Sequence, residues 1–135
     1  MLVPTGSERT VTIEPRLWMG EDGIMRVDYG LHAHITLEAV REVAQRAYQL
    51  CPRPHLALVM GQRVAKVDTD ALRFLQGEEY QRISVAVAVM TRTPLEKFLM
   101  RMYSTLHPPT YPVRGFTDEE EALRWLRGHG SLQEE

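Results

Sequence analysis

The chain has 135 residues, 44% of them hydrophobic and 25% charged, enough apolar material for one core and too much for a wholly disordered chain. Sixteen Lys plus Arg against eighteen Asp plus Glu give a net charge of −2, which excludes the strongly basic surface of an electrostatic nucleic-acid binder. Cys51 is the single cysteine, so an internal disulfide is excluded and a reducing, cytoplasmic setting is expected.

Residues 1–9 carry neither a cationic leader nor an apolar run, and no later stretch offers roughly eighteen consecutive apolar residues, so membrane insertion is not expected. Residues 1–9 and 129–135 read as flexible ends around one domain over 10–128. In Thr10 to Met19, Val11, Ile13, Leu17 and Met19 share one alternation while Thr12, Glu14 and Arg16 take the other, the period of a half-exposed strand that Pro15 confines to an edge. Gly20-Glu21-Asp22-Gly23 is turn chemistry, and Met25, Val27 and Tyr29 then alternate with Arg26 and Asp28, completing a β-hairpin. From Thr36 the period lengthens to about 3.6, with Leu37, Val40, Val43, Ala44, Ala47 and Tyr48 on one face, Thr36 as N-cap, and Pro52 and Pro54 as the stop.

His55 to Met60 is apolar without alternation, as in a parallel strand covered on both faces. A short helix over Thr69 to Gln76 should follow, stopping at Gly77. Ile83 to Met90 is the most strand-like stretch and is expected at the sheet centre. Thr93-Pro94-Leu95-Glu96 opens a helix whose inner face is Leu95, Phe98, Leu99, Met102 and Leu106. Tyr111 to Phe116 supplies a last edge strand, and Thr117-Asp118-Glu119-Glu120 opens a helix that buries Ala122, Leu123 and Leu126 and stops at Gly128. The order β-β-α-β-α-β-α-β-α implies an α/β fold: a mostly parallel sheet of four or five strands, an antiparallel hairpin strand at its edge and about four helices.

That order, the segment Asp68-Thr69-Asp70-Ala71-Leu72 and the closing Phe116-Thr117-Asp118-Glu119-Glu120-Glu121-Ala122-Leu123-Arg124-Trp125-Leu126 resemble the STAS or SpoIIAA-like family, most of all its small bacterial STAS/SEC14-like branch. The resemblance covers roughly residues 10 to 128 and implies a SpoIIAA-like fold. Family members of the anti-sigma-factor-antagonist kind carry a phosphorylatable serine in a D-S-S-G stretch and bind a partner kinase there. Here Thr69 stands at that serine, Asp70 at the second and Ala71 at the glycine. The resemblance therefore implies a regulatory interaction domain without a working phosphoswitch, with Thr69 as candidate phosphoacceptor and Asp68 and Asp70 as candidate partner surface.

Read without the family, Asp68 is a helix cap and Asp70 complements the helix dipole. His32 and His34 have the spacing of a chelating pair but no third ligand in view, so loop polarity is the simpler account and no metal is expected. Cys51 has no Cys-x-x-Cys context and no base beside it. Hydrolase, dinucleotide and P-loop motifs are absent, so no catalytic residues and no cofactor are expected. On the helix from Pro94, Met100 and Tyr103 fall outside the inner stripe and are candidates for a partner surface. Two functions stand: an interaction domain that forms a homodimer or docks a regulatory protein, and a binder of a small apolar ligand, as the SEC14-like side of the resemblance allows.

Overall fold

The computed structural model describes residues 15–62, 66–92, 100 and 111–134. Its elements, in chain order, are β1 (Arg16–Met19), β2 (Ile24–Leu31), β3 (His34–Ile35), α1 (Leu37–Leu50), β4 (His55–Gln62), β5 (Lys66–Val67), α2 (Thr69–Leu75), α3 (Glu78–Gln81), β6 (Ser84–Met90), β7 (Val113–Phe116) and α4 (Glu119–Glu134). The helix expected from Pro94 lies outside the described residues except for Met100, which is helical.

The first hairpin closes as its turn chemistry requires. Gly23 adopts a positive φ of 80°, a region open to glycine at little cost. The Asp22 carboxylate accepts the Ile24 N–H at 3.1 Å and both ends of the Arg26 guanidinium at 2.6 and 3.0 Å. β1 pairs antiparallel with β2, while β2 with β4, β4 with β6 and β6 with β7 are all parallel, giving the order β1-β2-β4-β6-β7. β4 is therefore the middle strand, and β6, expected there, sits one place out. Both strands are apolar on both faces, so composition does not rank them; the crossover order does. β3 and β5 form a separate parallel pair of two residues each, and neither these nor α3 was expected.

Alternation along the strands separates two cores. On one face Met25, Val27, Tyr29, Ala57 and Val87 pack against Val40, Val43 and Ala47 of α1 and Ala71 of α2. On the other, Ile24, Leu58, Ala86, Ala88 and Phe116 pack against Ala122 and Leu126 of α4. Thr36 caps α1 as expected, its hydroxyl accepting the Ala39 N–H at 3.1 Å. Tyr48 is not on the inner face: it is 55% exposed, and Ala39 is buried instead. At ~100° per residue Tyr48 lies about 105° from the centre of the Val40, Val43 and Ala47 stripe and Ala39 about 75°.

α4 runs through Gly128 to Glu134 rather than stopping. A glycine inside a helix costs about 1 kcal/mol against alanine, too little to end a helix held by tertiary packing. Gly130 has a packing reason to be small, because a Cβ there would sit 3.0 Å from Leu56 Cδ1.

Candidate ligand cavity

Between the first face of the sheet and the short helices α2 and α3 lies a cavity of about 350 Å³. Its floor is four valines, Val59 on β4, Val87 and Val89 on β6, and Val113 on β7. Their branched side chains suit strands but are too short to reach across to the helices. Leu72, Leu75 and Gln76 form the wall on the α2 side, Ile35 and Val67 close another through the β3–β5 pair, and Met100 completes the lining with Tyr29, Tyr80 and Tyr111. Met60, Gly61, Met90 and Thr91 place the cavity at the carboxyl ends of β4 and β6, where open parallel sheets usually receive their ligands.

Three phenols dominate its polar character. Tyr80 packs edge-on to Phe74 with ring centroids 6.2 Å apart and tilted against Tyr111 at 5.7 Å. The Tyr111 hydroxyl donates a hydrogen bond to the Leu75 carbonyl, satisfying an acceptor that the end of α2 leaves open. Burial pushes Tyr80 up to about 12. Tyr29 and Tyr111 rise above the usual phenol range by burial first and then by the other phenols nearby, so all three stay protonated at neutral pH. The Thr91 hydroxyl donates to the Phe116 carbonyl at 3.1 Å.

The residues singled out in the sequence are dispersed. Asp68 stands at the N-cap position of α2 but makes no capping bond. Its carboxylate instead meets His34 Nε2 at 2.8 Å and Lys66 Nζ at 3.7 Å, contacts that hold its pKa below the ordinary carboxylate value, the His34 hydrogen bond foremost. The β3–β5 pairing brings His34 alongside Lys66 and offers that carboxylate a hydrogen-bond partner, which competes with the backbone N–H groups. Thr69 and Asp70 are exposed at the start of α2, and Met100 is half-buried in the cavity wall. Tyr103 lies outside the described residues. His32, at φ 57°, is exposed and does not join His34. Cys51 Sγ approaches the Arg53 carbonyl at 3.8 Å, and buried His55 bonds to the same carbonyl through Nδ1 at 3.0 Å. Among the described residues no group of three or more His, Cys, Asp or Glu side chains converges, and no helix is long and apolar enough to cross a membrane.

A family model described as a domain of unknown function, DUF7793, matches residues 17–130. The chain belongs to the DUF7793 family. Among solved structures, this DUF7793 domain is similar to an uncharacterised DUF3478-family protein from Shewanella loihica PV-4 with a SpoIIAA-like fold. The two share 16% identity over 85% of this chain and 93% of that one, with a TM-score of 0.55. The SpoIIAA-like fold expected from the chain's resemblance is thus the fold of this DUF7793 domain, and at that identity the likeness concerns fold alone. Comparison with curated proteins gives no match.

The cavity residues had no common signal in the sequence. Tyr80, a lone aromatic in the polar stretch Gly77-Glu78-Glu79-Tyr80-Gln81-Arg82, shows why: Tyr48 is just as much the lone aromatic of its stretch, and it is exposed.

Proposed function

We propose that this domain is a non-enzymatic binder of a small apolar molecule, the second of the two readings open at the sequence. The supporting observation is the cavity of about 350 Å³ with valine, leucine and tyrosine walls at the carboxyl ends of the parallel strands. An engineered apolar cavity of roughly 150 Å³ admits benzene. In proportion, this space suits a ligand of about fourteen non-hydrogen atoms, near the lower end of the range for natural ligand pockets. Equilibrium dialysis of ethylnaphthalene against the protein tests the reading. Saturable binding of one molecule per chain is expected, with a dissociation constant on the order of 10–100 micromolar. Uptake that stays linear in ligand concentration, without saturation, would overturn it.

Self-association is a second reading, supported by a different observation. Among the described residues β1 is an edge strand, and its outward Trp18 is 43% exposed beside Arg16. An unpaired edge that carries an exposed aromatic favours pairing with a second copy. Light scattering on a sizing column should give twice 15.5 kDa at micromolar concentration, and Trp18→Glu should return the monomer; a wild-type species of 15.5 kDa throughout removes this reading.

A further inference from the structure

The cavity wall holds few polar atoms, and most are already engaged. The Tyr111 hydroxyl is bonded to the Leu75 carbonyl and the Thr91 hydroxyl to the Phe116 carbonyl, and Gln76 has a partner of its own. The Tyr29 and Tyr80 hydroxyls remain, and neither is hydrogen bonded among the described residues, although each residue is only 6% exposed. Among the described residues no closed-off side-chain oxygen or nitrogen lacks a partner. The two unbonded hydroxyls must therefore reach open space, and the space these two residues line is the cavity. A phenol hydroxyl that opens into an apolar space is bonded there by water or by a ligand, and a ligand that displaces the water has to replace its bond.

We propose that Tyr29 and Tyr80 form a polar pin that selects a neutral ligand with one hydrogen-bonding oxygen, a carbonyl or hydroxyl, at the end of an otherwise apolar body. This deepens the proposed function and rests on it. Among the described residues the cavity lining includes no Lys, Arg, His, Asp or Glu, so these walls offer a charged headgroup no counter-charge. The same surroundings that hold both phenols protonated would penalise a carboxylate in their midst. A pure hydrocarbon would fill the space and leave both hydroxyls unbonded, whereas a ligand oxygen bonded by one or both would remove that cost. The ring packing of Tyr80 between Phe74 and Tyr111 fixes the donor before the ligand arrives, so little ordering is lost on binding.

Three probes of matched shape separate the possibilities: ethylnaphthalene, acetylnaphthalene and naphthoate, each dialysed against the wild-type chain and against Tyr29→Phe and Tyr80→Phe. The ketone should bind about three- to tenfold more tightly than the hydrocarbon, and naphthoate more weakly than the ketone. Each Phe variant should shrink the ketone preference, weakening ketone binding and tightening that of the hydrocarbon, which no longer leaves that hydroxyl unbonded. Equal binding of ketone and hydrocarbon to wild type would overturn the pin and leave the apolar-binder reading intact, and tightest binding of naphthoate would overturn the neutral-ligand rule. A ketone preference that survives in both folded variants would show that other atoms make the selection. Failure of all three probes to bind would remove the pin together with the reading it rests on. If a variant unfolds, the wild-type ratios decide alone.

Discussion

Val89→Phe is the substitution that interrogates the cavity most directly. Val89 lies on β6 and forms part of the floor, so a phenyl ring built there has somewhere to go. The ring adds roughly 50 Å³ over an isopropyl group, and at about 24 cal/mol for each Å³ of cavity removed the gain is about 1 kcal/mol. For a chain of this size that is a rise of about 4 °C in melting temperature. The control is Val27→Phe on β2, a valine 1% exposed in the same core but absent from the cavity wall. With no space to enter, the same ring should force its neighbours off their rotamers and cost about 1–3 kcal/mol. Urea or thermal unfolding of both variants, followed by circular dichroism, reads the difference, and dialysis should show Val89→Phe binding ethylnaphthalene at least about tenfold more weakly. If Val89→Phe loses as much stability as Val27→Phe, the space is not there and the ligand argument falls with it.

Further outcomes follow from single contacts. Tyr111→Phe strands the Leu75 carbonyl and should cost about 0.5–1.5 kcal/mol, whereas Tyr29→Phe removes an unbonded hydroxyl and should leave the unfolding midpoint nearly unchanged; equal losses would contradict the hydrogen-bond assignment. Burial lowers the pKa of His55 below the ordinary histidine value of 6.5, so the folded state favours the neutral ring; stability should hold above pH 6.5 and fall as the pH drops below it. His55→Asn, which can keep the bond to the Arg53 carbonyl, should flatten that acid loss in a series of melts, and an unaltered slope would refute it. Gly128→Ala, at an exposed helical position with nothing within 4 Å of the new Cβ, should stabilise by about 0.5–1 kcal/mol. Gly130→Ala should gain less, since its Cβ meets Leu56; the reverse ranking would argue against the helix continuing through both.

The fold was legible because its signals are local. Thr36 ahead of a 3.6-residue stripe, the turn at residues 20–23 and the apolar runs of β4 and β6 each specify an element without reference to distant residues, and their alternation limits the topology. The errors arise where tertiary packing outweighs a local preference. Gly128 is a helix stop on propensity, but Ala122 and Leu126 packed against the sheet carry α4 past it. Asp68 is a cap by composition, and only the β3–β5 pairing, which two-residue strands do not announce, brings His34 across to claim it. The cavity was not legible at all. It is made by side chains from β2, β4, β6, β7 and α2 that stop short of one another, and a gap between residues distant in sequence leaves no periodicity behind.

β6 gives its odd-numbered valines, Val87 and Val89, to the cavity floor and its even-numbered alanines, Ala86 and Ala88, to the seat of α4. The sheet thus acts as a partition between a room whose size can change and a wall whose thickness cannot. Exchanging valine for alanine or isoleucine along the floor would re-cut the ligand space while α4 kept its seating on the small residues behind. One scaffold could then accommodate a series of differently sized guests without renegotiating how its last helix docks.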